Sequence, residues 1–552
     1  MRIINVSTPL QKISDSPQTS DPINLFCQYY IDKNKERQEE IIYCLQKNVD
    51  NINIDKIYLL NERIFSFSEL GLSNKSNKII QINISKRLKY QDVLKFISDN
   101  AINGYNVIVN SDIFLDYTIE RLKYSDIHAT KKMLALLRYE YNIVDIRQSK
   151  LFGPRFDSQD TWIIHSAQNV PIEQQKVFDF EFGKPGCDNK LIYLMNILGY
   201  EVINDPLTIK TYHYHTSQVR NYTIKNMIPN PYSFLMPANI HYLLSNPKLP
   251  PVLLTYFKNP DVTFADNDLL RNYITNCFQK NKTFVIPRIA GIENNFAYIG
   301  DTMQNMISSP NQKEYIDKTL KVMKNNAGIK LSSVVSVIKY SQLYMNSFEN
   351  CEVYFGWESY GNYINHISSS YRYMCEKYDK KRLWSMALDI FHYIFASPWT
   401  LALKGKKILI ISAFEKSIQE KIPIREKIYG IDLFPDCEII TACPPQTQAD
   451  EPSDEFDKEL SRFTDTLKTL EYDIALVSCG GYGNLVCDAI YQQGKSAIYV
   501  GGVLQMYFGI LGNRWAIERP DVVKLFINEY WSRPKTEERP KGFNTVENSC
   551  YW

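Results

Sequence analysis
The chain has 552 residues, 44% of them apolar and 22% charged, with a net charge of only +2. That length exceeds a single hydrophobic core and predicts more than one domain, and the balanced charge excludes a nucleic-acid binder working by bulk charge. The eleven Cys are scattered without a C-x-x-C pair, which fits a reducing compartment and excludes a zinc-ligand set of that spacing.

Residues 1–22 are polar, carry prolines and lack an apolar run of signal-peptide length, so they read as a flexible arm. "KIYLL" (56–60), "IIQINIS" (79–85) and "NVIVN" (106–110) read as strands. Between the last two, residues 90–104 place Val93, Leu94, Ile97 and Ala101 on one helical face, with Gly104 as a stop. Strand, helix, strand implies a crossover and a parallel sheet. "TWIIHS" (161–166) predicts a further strand, residues 187–200 predict a helix, and the prolines of 228–237 mark a boundary. Farther on, 406–412, 473–478 and 496–500 read as strands, each entering a small-residue turn and a helix, which describes a doubly wound α/β domain. Ser412 and Glu415 have capping-box spacing. The uncharged stretch Ser496–Asn513 approaches the length of a membrane span, but Gly501, Gly502, Gly509, Gly512 and Gln505 interrupt it, so it reads as a buried strand–loop–helix. The expectation is a cytoplasmic protein without a transmembrane segment, with peripheral membrane contact left open.

The first candidate site starts at Asn110-Ser111-Asp112, where a buried strand ends. In open parallel sheets ligands bind past the carboxyl ends of the strands. A carboxylate there either shapes a turn or holds a divalent cation, Mn or Mg, against a diphosphate. Gly183, Pro185 and Gly186 form a tight turn before Asp188, which is either a helix N-cap or a general base. His213 and His215 share one face of a strand and are either metal or phosphate ligands or half-buried surface histidines. Asp157 and Asp160 cap loops or bind acceptor hydroxyls. Arg138 binds phosphate or lies on a surface helix.

The strings D-x-x-D-T-W, G-K-P-G-C-D-N-K and K-T-Y-H-x-H-x-S-x-x-R-N-Y resemble glycosyltransferase domains of the GT-A fold, over roughly residues 24–223. That family uses a D-x-D motif with a metal. Here the first acid is Asn110, while Asp112 keeps the position of the usual direct contact. The resemblance implies Asp188 as the base that deprotonates an acceptor hydroxyl, and His213 or His215 as a metal or phosphate ligand.

In the second half, "SCGGYGN" places Gly480, Gly481, Gly483 and Asn484 where backbone N–H groups and a helix N-terminus could cradle a phosphate. Ser412, Lys416, Gly501 and Gly502 belong to turns expected at the same edge. The spacing is not the dinucleotide fingerprint, and the acidic residue that should follow it is missing, which counts against a nicotinamide-dependent oxidoreductase. "PWTLALKGKKILII", "YVGGVLQMYFGILGNRW" and "ERPKGFNTVENSCYW" are similar to bacterial GT-D-fold glycosyltransferase domains, over about 265–552. Their R-I-G-D-G-E pattern aligns with "PRIAGIEN", which keeps Arg288 and the acid Glu293 but has Gly291 at the Asp position. Trp357 and Glu358 are candidates for a sugar platform or for core packing. No cofactor is implied with certainty for this half.

The expected architecture is therefore α/β, with two nucleotide-sugar-binding Rossmann-like domains and mainly parallel sheets. An arm (1–22) precedes a GT-A-like domain (23–225), a linker (226–264) and a GT-D-like domain (265–552). The resemblance implies a glycosyltransferase that moves sugars from nucleotide-sugar donors to a glycan or glycolipid, with two domains able to act in succession on a tethered acceptor. The alternative is a non-catalytic nucleotide-sugar- or carbohydrate-binding protein, since both acidic motifs are incomplete.

Overall fold
The computed structural model describes residues 2–74, 76–153, 155–217, 226–229, 231–239, 267–302, 310–356, 369–390, 398–445, 448–449, 451–518 and 520–552. The chain divides into two compact α/β units, 1–258 and 259–552.

The first unit is built on a seven-stranded sheet in the order Glu201–Ile203, Lys132–Leu136, Thr161–His165, Tyr105–Val109, Ile23–Cys27, Lys56–Asn61, Ile79–Asn83. Every pairing is parallel except those of Thr161–His165, which runs antiparallel to both neighbours. The central strands are buried along their whole length, as their continuous apolar runs require of a sheet covered on both faces. The edge strand Ile79–Asn83 is half-exposed. The helix Tyr90–Asp99 buries Val93, Leu94 and Ile97 as expected, but it ends before Ala101, which is exposed.

Beside the carboxyl rim lies a smaller four-stranded sheet, ordered Ile113–Leu115, Thr211–His213, Tyr139–Glu140, Lys150–Leu151. The helix Lys35–Asp50 is stitched to its edge. Asn48 donates to Ile113 O at 2.9 Å and accepts from Leu115 N at 3.0 Å, and Asn51 donates to Leu115 O at 3.0 Å.

Two expectations are corrected here. The arm is not loose throughout, because Arg2–Val6 forms a strand paired in parallel with Tyr232–Met236, a segment assigned to the linker. The prolines taken as a boundary, Pro229, Pro231 and Pro237, flank that strand and do not interrupt it, so its ladder keeps its N–H donors.

The second unit has a five-stranded, wholly parallel sheet ordered Val285–Ile286, Ser496–Tyr499, Ile474–Ser478, Lys407–Ser412, Glu438–Ala442. The three central strands match those read from sequence. The helices Glu415–Lys421, Phe456–Leu467 and Gly483–Gln492 provide crossovers. Strand order reverses between Lys407–Ser412 and Ile474–Ser478, the place where such sheets open a ligand crevice. Among the described residues no helix is long and apolar enough to cross a membrane, and all eleven Cys are free thiols.

Candidate functional site
Asp112 stands past the carboxyl end of Tyr105–Val109 and is buried, at 7% exposure. Its carboxylate gathers three basic groups on one oxygen. Arg37 Nη2 donates to Oδ2 at 2.7 Å, His213 Nε2 lies 3.2 Å from it and His215 Nδ1 lies 4.0 Å from it. Burial works to raise the Asp112 carboxyl, but His213 and Arg37 outweigh it and hold the group far below the ordinary range. The strand holding the histidines is shorter than expected. It covers Thr211–His213, so His215 lies beyond its end, yet both imidazoles still face Asp112.

The far nitrogen of His213, Nδ1, meets Glu140 Oε2 at 3.0 Å, which fixes the ring with Nε2 toward Asp112. Burial would lower the His213 pKa; Asp112 and Glu140 reverse this and raise it to about 9. Glu140 accepts from Arg138 Nε at 3.0 Å, and Arg138 also pairs with Asp160. Arg138 is buried just past the strand Lys132–Leu136, so the surface-helix reading is wrong. Asp160 Oδ1 accepts from Asn110 Nδ2 at 2.9 Å. On the other side, Glu40, 1% exposed, takes Arg37 Nη1 at 2.9 Å and the backbone N–H groups of Thr216 and Ser217 at 2.5 and 2.7 Å. Burial raises the Glu40 carboxyl, and these donors bring it below its ordinary value. A continuous chain of charges thus runs from Glu40 through Arg37, Asp112, His213, Glu140 and Arg138 to Asp160.

Asp188 adjoins this chain. Its Oδ2 accepts from Gln159 N at 3.1 Å, next to Asp160. It is not the N-cap: Gly186, at φ +80°, takes that position and puts Asp188 in the first turn of Cys187–Ile197. A Cβ on Gly186 would sit 2.7 Å from Tyr232 Oη, so the turn needs glycine twice over. Burial pushes the Asp188 carboxyl up to about 7, with Asp160 and Asp157 adding to the rise against the Asn189 and Gln159 N–H groups. Asp157 pairs with Arg155 at 2.6 Å. A small cavity of about 10 Å³ lies at the same rim, lined by Cys27, Gln28, Ile41, Asn48, Asn110 and Ser111 among others.

Asp112, His213 and His215 offer ligand atoms within 4.8 Å of one another. One carboxylate oxygen and two imidazoles, one of them oriented by Glu140, form a donor set that fits a divalent transition ion. Reasoning from sequence missed Arg37, Glu40 and Glu140.

The sequence matches no protein-family model and no curated protein. Among solved structures, the fold resembles a mannosyltransferase from Pyrobaculum calidifontis, in complex with GDP-Man and Mn2+, at 11% identity and a TM-score of 0.25, over 39% of this chain and 62% of that one. A glycosyltransferase (DUF1792) from Streptococcus sanguinis matches at 12% identity and a TM-score of 0.24, over 44% of this chain and 85% of that one. HddC from Yersinia pseudotuberculosis matches at 9% identity and a TM-score of 0.22, over 35% and 93%. The chain thus spans under two thirds of the length of the mannosyltransferase.

In the second unit the glycine turns are closely packed on the side where a Cβ would stand. A Cβ on Gly481 would lie 2.5 Å from Ile329, and one on Gly483 would lie 2.3 Å from the Tyr499 ring, so close packing requires these glycines. Both are buried. Asn484 is buried too and locks a strand end, accepting from Arg288 N at 3.0 Å and donating to Arg288 O at 2.9 Å. Gly480 is half-buried at φ +49°, and its carbonyl accepts from Tyr499 Oη at 3.0 Å.

Ser412 does not cap a helix. Phe414 takes that position, and Ser412 Oγ accepts from Phe414 N at 3.2 Å. The N-terminus of Glu415–Lys421 is instead occupied by Glu538, which accepts from Lys416 N at 2.8 Å, Ser417 N at 3.1 Å and Ser417 Oγ. Lys416 Nζ is paired with Glu537 at 2.8 Å. Gly501 packs under the Arg288 guanidinium and Gly502 under the Tyr551 ring. Glu293, half-buried in the first turn of Gly291–Thr302, is raised by burial, with Arg288 acting against the rise. Gly291 is exposed, and nothing lies within 4 Å of where its Cβ would be. Trp357 and Glu358 lie outside the described residues.

Proposed function
We propose that the first unit is a glycosyltransferase that takes a nucleotide-sugar donor at the rim around Asp112. The observation that carries this reading is the meeting of Asp112, His213 and His215 past one strand end, joined through Glu140, Arg138 and Asp160 to the segment whose Gln159 N–H bonds Asp188, a carboxyl raised to about 7. Asp112, His213 and His215 would hold a divalent ion, which supplies positive charge to the departing diphosphate. Asn110 and Ser111, which line the small cavity at the same strand end, stand on the donor side. Asp188 removes the proton of the acceptor hydroxyl as that oxygen attacks the anomeric carbon. A base titrating near neutral pH suits the task because it is ionised in part and still strong enough to accept the proton. Asp157 and Asp160 flank it as hydroxyl-binding acids, and Arg138 holds Asp160 in place.

For the second unit a non-catalytic sugar-binding role is favoured. Glu538 already stands where a donor phosphate would meet the helix N-terminus, and Gly291 stands where the resembled motif has its Asp. The test is release of nucleoside diphosphate from a panel of nucleotide sugars, with and without manganese. Manganese-dependent release that disappears in Asp112→Asn supports the reading. Equal release by wild type and variant, or none from any donor, rejects it.

A further inference from the structure
Arg37 is 8% exposed and bonds the same Asp112 oxygen that both imidazoles face, at 2.7 Å. Both imidazoles face that oxygen, so an ion shared by Asp112, His213 and His215 competes with Arg37 for it, and a guanidinium so close to a dication is repelled. Two further features say where Arg37 goes. Glu40 holds its other nitrogen at 2.9 Å and is itself pinned by the Thr216 and Ser217 N–H groups, so Arg37 keeps a carboxylate partner after leaving Asp112. Arg37 also shares a helical face with Ile41, Leu45 and Asn48, one turn before Ile41, and those three line the small cavity at the strand ends. A planar fork of N–H donors at that position matches phosphate oxygens.

Resting on the reading of Asp112, His213 and His215 as an ion site, we propose that Arg37 is a movable donor-phosphate ligand. It neutralises Asp112 in the empty site. When an ion takes that carboxylate, it pivots on Glu40 and grips the diphosphate. Pairing with Asp112 therefore reduces the fraction of protein competent to bind the ion, and the freed side chain strengthens binding of the donor.

The consequence is a pair of opposite signs. In Arg37→Gln, manganese binding followed by electron paramagnetic resonance tightens about tenfold, because a competitor is gone. Binding of the manganese complex of pyrophosphate, followed by calorimetry, weakens about tenfold. A guanidinium that only braces the fold would weaken both, and that result, or no change in either, overturns the proposal. If neither wild type nor variant binds manganese, the ion-site reading falls and this proposal falls with it; normal manganese binding with shifts of one sign removes Arg37 alone.

Arg37→Lys, which keeps the charge but cannot span both carboxylates, gives the same signs at smaller size and serves if the Gln variant does not fold. In the unaltered protein, phenylglyoxal labelling mapped by mass spectrometry gives an independent reading. Arg37 reacts slowly alone, faster with manganese and slowly again with manganese and pyrophosphate. Labelling indifferent to manganese overturns the proposal.

Discussion

At the scale of single residues, Asp188 carries the sharpest consequence. Asp188→Asn removes the base and lowers transfer by about 10²–10⁴-fold while leaving donor binding in place. In wild type the rate climbs as pH passes through about 7, where the carboxyl ionises. Stability moves the other way. The fold raises this carboxyl from 3.8 to about 7, so in that window the folded state binds more protons than the unfolded state and loses stability as pH rises. Asn escapes this loss, so Asp188→Asn melts a few degrees above wild type at pH 8 and converges with it near pH 4. Calorimetry at the two pH values checks this. Gly291→Asp is a second residue-scale expectation. Open space around the absent Cβ lets the new carboxylate in with a stability change of roughly 0.5 kcal/mol or less, measured by urea unfolding.

These residues differ in how far the sequence announced them. His213 and His215 are two of only seven His in the chain, and Asp112 and Asp188 follow a buried strand and a Gly-Lys-Pro-Gly turn, places that a sequence marks. Arg37 and Glu40 lie in "NKERQEE", which reads as a solvated charge run. Their meaning comes from partners 75 and 176 positions away, which no local pattern encodes.

At the scale of elements, the buried parallel strands were legible because continuous apolar runs bounded by glycine turns have few other uses. The strands Arg2–Val6 and Tyr232–Met236 were not, because each acquires its ladder from the other end of the unit. The glycine turn of the second unit is ambiguous in sequence for a related reason. Phosphate cradles and close ring packing both demand a missing Cβ, and the Tyr499 ring that packs beside Gly483 comes from another strand. Gly483→Ala therefore costs about 1–3 kcal/mol through overpacking, seen as a lower urea midpoint. A glycine kept for a ligand would cost affinity and spare stability.

At the scale of the whole molecule, the two units have separate cores and sheets. Divided between 240 and 266, each half folds alone with its own cooperative melting transition. A nucleotide-sugar donor with manganese then raises the transition of the first half, by the equivalent of about 2.7 kcal/mol at a hundredfold excess over Kd. The second half responds to sugar ligands without a manganese requirement.

The helix Lys35–Asp50 acts as a ruler. Its first turn grips Asp112 and the segment after the histidines, while Asn48 grips the strand that follows Asp112. One extra residue between 41 and 47 would rotate Asn48 by about 100° relative to Arg37 and unhook one end. Lineages of this protein are thus free to lengthen the exposed turns at 62–64 and 85–87, but the spacing from Arg37 to Asn48 tolerates no insertion.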